Sequence, residues 1–442
     1  MRKNYFIACL VTFLTFFSVY SQTNQLKIFD KIVFYNGYAA TSTLPTPTGV
    51  VRLANAKYAK KIEASDLSQV LNTLSLNVTI NALCDNYDRI GGAFLTFVPT
   101  GDPVTSANKK TIEIGRFITP FMNKNVAPNE VAYNFDLNHL VGVFKDPTFL
   151  QNNDIWVEFF LFGVPTAAQT QIAGCAGRED VFEGTLVFES TSGTNPTMTF
   201  TPKPLWNKIE INKTTKTDVW GTAARVVYFN NSDQLNNAYV HLITSAHGAG
   251  QGGEEYVRRD HNVSFDNNLL LTYKPGGLSC EPFRQYNTQA NGIYGSSPKT
   301  ASWWASWNNW CPGDKIPNRL IPLGNVAPGN HFLKVDIPTG VFPNNDDKVV
   351  MSAFIYSEDN VALNNKDFEI IDYSIYPNPT SDFINVEASM SVKQLSIYDM
   401  NGKKLVNSNT TKINVENLSN QMYMLHITLE NGKTLVEKIV KK

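Results

Sequence analysis

Leu74, Leu76, Val78, Ile80 and Ala82 alternate with Ser75, Asn77, Thr79 and Asn81, and the run leads directly into Cys84. This period of two is the mark of a strand with one face in a core and the other in water. Shorter apolar runs of strand length recur at Phe94 to Val98, Ile155 to Phe162, Leu186 to Glu189, Ala224 to Phe229, Tyr239 to Thr244, Leu269 to Tyr273, Phe332 to Ile337 and Val349 to Tyr356. Gly, Pro, Asn and Asp clusters separate them, and no sustained 3.6-residue apolar period appears. The pattern predicts an all-β, antiparallel, sandwich-like chain.

The chain has 442 residues, enough for about three domains. With 43% hydrophobic and 17% charged residues, most of it is expected to fold around sizeable cores. Lys and Arg (38) balance Asp and Glu (39) without long like-charge blocks, so the basic footprint of a duplex nucleic-acid binder is missing. Thr191 to Pro196 reads as a hinge between two β-units, and the polar stretch Glu358 to Asp367 reads as a linker to a smaller tail.

Arg2 and Lys3 precede the apolar run Tyr5 to Val19, and Ser21 supplies a small residue for cleavage, the layout of a secretory signal over residues 1–21. No later stretch approaches the roughly 18 apolar residues of a membrane-spanning helix. Export places Cys84, Cys175, Cys280 and Cys311 in an oxidising compartment, where an even count without a C-x-x-C pair favours disulfides over metal ligation. Cys280 with Cys311 is the preferred bridge and Cys84 with Cys175 the remaining pair, among the three connectivities that four cysteines allow.

Several segments carry possible chemistry. Glu158 lies within the apolar run Ile155 to Phe162, where a carboxylate is costly without a partner, and reads equally as a salt bridge or a catalytic acid. Cys84 to Arg89 puts Asp85, Asp88 and Arg89 at a strand end, suited to a site or to a turn capped by its aspartates. Gly248 to Gly253 leads into Glu254, Glu255 and Tyr256, and no Lys-Ser/Thr follows to make a phosphate-binding loop. Trp303, Trp304, Trp307 and Trp310 crowd one stretch, as sugar-stacking platforms or as a loop packed by a disulfide.

The tail, from about Ile371, contains Tyr376-Pro377-Asn378-Pro379-Thr380, Ile397-Tyr398-Asp399-Met400-Asn401-Gly402-Lys403 and a terminal Lys441-Lys442. It resembles the C-terminal sorting domain of the type IX (Por) secretion system, with Gln421 where such tails usually have Gly. The resemblance implies a small β-sandwich over residues 371–442 and routing by that machinery to the exterior or the cell surface, via the periplasm.

The segments Cys84 to Arg89, Glu113-Ile114-Gly115-Arg116-Phe117-Ile118-Thr119-Pro120, Ile155-Trp156-Val157-Glu158, Glu255-Tyr256 with Arg259 and His261, and Trp310-Cys311-Pro312-Gly313 stand in the order of the peptide-N-glycosidase F family. The chain resembles that family over roughly Leu26 to Tyr356. The resemblance implies an all-β fold of two adjacent eight-stranded antiparallel jelly-roll sandwiches, here over residues 22–195 and 196–362, with the site in the cleft between them. It implies an amidase that hydrolyses the Asn–GlcNAc bond of N-linked glycoproteins or glycopeptides by carboxylate acid/base catalysis. Asp88 would be the principal catalytic group, with Glu255 and Glu158 in support and Arg89 as charge partner of Glu158 and Asp88. Trp310, Trp307, Tyr87, Tyr256 and His247 would bind substrate, Trp307 standing where the family has a basic residue, Phe160 where it has Trp, and Glu254 competing with Glu255 in a shifted alignment. No metal or cofactor is implied, and a monomer is expected. Two other readings remain: a glycan-binding protein without catalysis, and a copper-dependent peptide hydroxylase on a similar scaffold. The copper reading needs clustered histidines, whereas His139, His241, His247, His261, His331 and His426 are scattered.

Overall fold

The computed structural model describes residues 22–193, 202–213, 223–357, 370–432 and 434–442. The expected signal segment, the whole linker Glu358 to Asp367 and the end of the proposed hinge lie outside the described residues. Among the described residues the regular structure is mostly antiparallel strand, and no helix exceeds seven residues. None of these helices is long and apolar enough to cross a membrane.

The alternating run forms the strand Ser75–Ala82, whose burial alternates residue by residue. It lies between Asp180–Thr191 and Glu130–Asp136, and Thr23–Tyr35 closes that four-stranded sheet. The facing sheet orders Lys110–Ile118, Ile90–Pro99, Asn153–Leu161, Lys57–Lys61 and Val50–Ala54. Leu76, Val78 and Ile80 from the first sheet and Leu95, Val157 and Phe159 from the second are fully buried in the core between them. A second pair repeats the plan: Lys203–Asn212, Lys348–Tyr356, Leu235–His247 and Arg319–Val326 form one sheet, and Asn268–Tyr273, His261–Phe265, Gly329–Ile337 and Ala223–Asn231 the other. In each pair consecutive strands pass mostly between facing sheets, so neighbours within a sheet come from distant parts of the chain.

The two sandwiches are joined through one edge. The two-residue strand Lys315–Ile316 pairs with Lys110–Ile118 and extends the first sandwich with residues of the second. Beneath that joint Ile118, Ile243, Trp310 and Ile316 form a small apolar cluster of their own, with Ile90 against it. Beside it Arg116, fully buried, is neutralised by Glu113. Burying a guanidinium without such pairing would cost several kcal/mol, on the order of what holds a domain together. The tail packs a separate core, and its strand Ile370–Tyr376 continues the sheet beyond Ala223–Asn231.

Candidate active site

The loop after Ser75–Ala82 is tied at its root by a disulfide between Cys84 and Cys175. Of its two carboxylates, Asp85 is the internal fastener. It has no exposure and accepts from Arg89 Nε at 2.7 Å, Val164 N at 2.6 Å and Tyr87 N at 3.0 Å. Gly163 makes room for it, since a Cβ there would meet Val181 Cγ2 at 2.6 Å and Asp85 Oδ2 at 3.2 Å. Thr119 holds the other side, its Oγ1 accepting from Arg89 N at 2.7 Å and donating to Tyr87 O at 3.1 Å. Asp88 is the carboxylate left over by this wiring. Burial pushes its pKa up to about 6, against the pull of the Arg89 guanidinium.

From the second sandwich, the strand Leu235–His247 runs into the glycine-rich loop. Asp347, fully buried, pins that loop by accepting from Gly250 N at 2.9 Å and Asn344 N at 2.6 Å. Any side chain on Gly250 would place its Cβ 2.1 Å from Asp347 Oδ2. The adjacent acids beyond the loop have different environments. Glu254 is fully buried and committed to Arg259 Nη1 and Val341 N, each at 2.7 Å. Glu255 is half-buried, bonded to the Tyr256 hydroxyl and the Gly248 N–H, and its pKa is driven to about 8 by burial and then by the charge of Asp88. The fold therefore brings one available acid from each sandwich into electrostatic contact.

Aromatic groups flank them. Tyr87 and Tyr256 are each 42% exposed, which leaves ring surface free for a ligand. Tyr87 leans on Phe121 and carries the Arg89 guanidinium over its ring. Trp310 is buried, donates from Nε1 to Ala246 O at 2.7 Å and meets the His247 ring, so it forms wall and seam. Trp307 stacks on Trp303 and abuts Trp304 edge-on, in a segment stapled by the disulfide between Cys280 and Cys311.

Residues 25–175 match the family description "Peptide-N-glycosidase F, N terminal" and residues 215–356 match "Peptide-N-glycosidase F, C terminal", which together take in about two thirds of the chain. The chain belongs to the peptide-N-glycosidase F family. Residues 374–442 match a secretion system C-terminal sorting domain, which marks a secreted or cell-surface protein. Over 360 residues the chain is 24% identical to the peptide-N(4)-(N-acetyl-beta-D-glucosaminyl)asparagine amidase F of Elizabethkingia miricola, covering 77% of this chain and 85% of that one. Solved structures similar in fold include recombinant peptide: N-glycanase F (TM-score 0.52, 16% identity, 79% of this chain and 98% of that one). PNGF-II in the P21 space group is another (TM-score 0.56, 18% identity, 76% of this chain). The chain spans 65% of the length of that PNGF-II structure and 66% of a second one.

Set against what the peptide-N-glycosidase F resemblance implied, the charge partner expected of Arg89 changes. Arg89 lies within electrostatic reach of Asp88, but its ion pair is with Asp85 and not with Glu158. Glu158 sits opposite Phe94, four residues along the strand from Ile90, which is roughly 13 Å at the rise of a β-strand. Its partners there are Lys57, Lys109 at 3.7 Å and the Thr96 hydroxyl at 2.9 Å. Strand direction separates the groups: Glu158 is held by side chains of its own sheet and its neighbouring loop, while Arg89 turns back on the Cys84 loop. Sequence reasoning missed Asp347 and Thr119 as supports of the two loops. The pair Asp346-Asp347 in a polar run ahead of a strand was the available signal for the first.

Proposed function

We propose that this protein is an active peptide-N-glycosidase, which hydrolyses the amide joining an asparagine side chain to the first N-acetylglucosamine of an N-linked glycoprotein or glycopeptide. The observation that carries the reading is the pairing of Asp88 with Glu255, two raised carboxyls contributed by different sandwiches. Near pH 7 Asp88 is mostly ionised and Glu255 mostly protonated, the complementary states that amide hydrolysis needs. Asp88 takes a proton from water as it attacks the amide carbon. Glu255 delivers its proton to the departing glycosyl nitrogen, leaving aspartate and a glycosylamine that then loses ammonia. The two acids titrate as a coupled set, so each protonation state belongs to the pair. Glu158 stands outside proton transfer in this scheme, and Arg89 orients the Asp88 loop through Asp85. Tyr87 and Tyr256 offer faces to the sugar, with Trp310 and Trp307 shaping the wall.

The same proposal divides the chain into a signal over 1–21, jelly rolls over 22–195 and 196–362, and a tail over 371–442 handed to the type IX machinery, with the enzyme a monomer. Alternation of strands between facing sheets supports the jelly-roll reading. A second reading, glycan binding without turnover, rests on Trp307 standing in place of a basic residue and stacking on Trp303. Incubation with a defined N-glycopeptide separates the two. Mass spectrometry should show the peptide converted from Asn to Asp with loss of the whole glycan, and Asp88→Asn should abolish this. Retention of intact glycopeptide without conversion refutes the amidase.

A further inference from the structure

Arg116 uses every hydrogen it has. Nε and Nη2 grip Glu113 at 2.8 and 2.6 Å, Nη1 donates to Ser245 Oγ at 2.8 Å and Val350 O at 2.7 Å, and Nη2 also reaches Ser352 Oγ at 3.4 Å. A guanidinium can only donate, so Ser245 Oγ is the acceptor in that contact. The hydroxyl has a single hydrogen of its own, and 2.7 Å away stands His247 Nε2. Among the described residues no other acceptor lies within hydrogen-bond reach of this buried hydroxyl, so its hydrogen goes to Nε2, and a neutral ring then carries its proton on Nδ1.

The surroundings keep the ring neutral. Burial and then the charges of Arg116, Lys348 and Lys208 push the His247 pKa down to about 3. Lys348 faces His247 across the strand pair, and Trp310 packs at 6.0 Å between ring centroids. The next residue, Gly248, gives its N–H to the Glu255 carboxyl. An imidazolium so close would hold Glu255 ionised and remove the acid from the pair.

We infer that His247 is a neutral hydrogen-bond donor, fixed as the Nδ1–H tautomer by Arg116 acting through Ser245, and that it serves an uncharged acceptor oxygen of the substrate beside Glu255. Arg116 and Ser245 are positioning residues in this arrangement. The substrate half rests on the amidase reading, whereas the tautomer half stands without it.

Nitrogen-15 NMR of the histidine rings in the full chain, with His247→Asn to assign the signal, tests the tautomer. The expected result is protonation at Nδ1 alone, unchanged from pH 5 to pH 8. A proton on Nε2, or titration near the ordinary histidine value, overturns the inference. Ser245→Ala should release the tautomer into a mixture, and Ser245→Thr, which keeps the hydroxyl, should preserve it. If Ser245→Ala leaves the signal unchanged, the relay is wrong. These readouts need no turnover, so their failure is distinguishable from failure of the amidase reading. With a glycopeptide substrate, His247→Asn keeps an N–H near the Nδ1 position and should hold kcat/KM within about threefold, while His247→Phe should lower it about tenfold, the worth of one hydrogen bond. An unchanged kcat/KM in His247→Phe refutes the donor role.

Discussion

Replacing Asp88 with Asn should stabilise the fold while destroying activity, and the gain should depend on pH. Burial raises the Asp88 pKa from 3.8 to about 6. At pH 3 and below the carboxyl is mostly protonated in both the folded and unfolded chain, and it costs almost nothing. Between pH 4 and 6 the unfolded chain ionises while the folded chain keeps its proton, so wild-type stability falls as pH rises through this window. Above pH 6 both are ionised and the deficit is constant. A tenfold change in proton affinity is worth about 1.4 kcal/mol, and partial solvent contact trims the total to about 2 kcal/mol. Asn cannot ionise and escapes the deficit. Urea denaturation of wild type and Asp88→Asn at pH 3, 5, 6 and 8 should show almost no gain at pH 3 and a gain of about 2 kcal/mol at pH 8, with glycan release lost throughout. A gain that does not vary with pH, or a loss of stability at pH 8, would refute the claim that burial of an unpaired carboxylate raises its pKa.

The pH profile of glycopeptide cleavage should be bell-shaped, rising with ionisation of the acid near pH 6 and falling with ionisation of the one near pH 8; a profile flat from pH 5 to 9 excludes the assigned pair. Glu158→Gln should cost about 2 kcal/mol of stability by unpairing Lys57 and Lys109, with kcat within a few-fold of wild type in the folded fraction, whereas Glu255→Gln should lose cleavage by at least about a hundredfold; equal losses from both would return Glu158 to the proton-transfer chemistry. Gly250→Ala should displace Asp347 and loosen the loop that presents Glu255, lowering both kcat and the unfolding midpoint; wild-type turnover would mean the loop's geometry is irrelevant.

The apolar runs read as strands all coincide with observed strands, only Leu74 and Phe162 lying one residue beyond an end, because a period of two is a local property and each residue's face follows from its neighbours in sequence. The disulfide partners were legible too, since four cysteines in an exported chain leave few pairings and both expected bridges are formed. Sequence also placed Asp85, Asp88, Glu254, Glu255 and Glu158 among the candidates, and it could rank them only by resemblance. Tertiary structure alone separates Asp85 from Asp88 and Glu254 from Glu255. In each pair the partners that claim one acid, Val164 and Val341 among them, lie far away in the chain. It also sets Glu158 at a lysine-lined position, because the strand register puts it opposite Phe94, four residues along the sheet from Ile90, with Lys57 and Lys109 at its carboxylate. A carboxylate's readiness for proton transfer depends on burial and on the charges left near it, and those are fixed only when the two sandwiches meet.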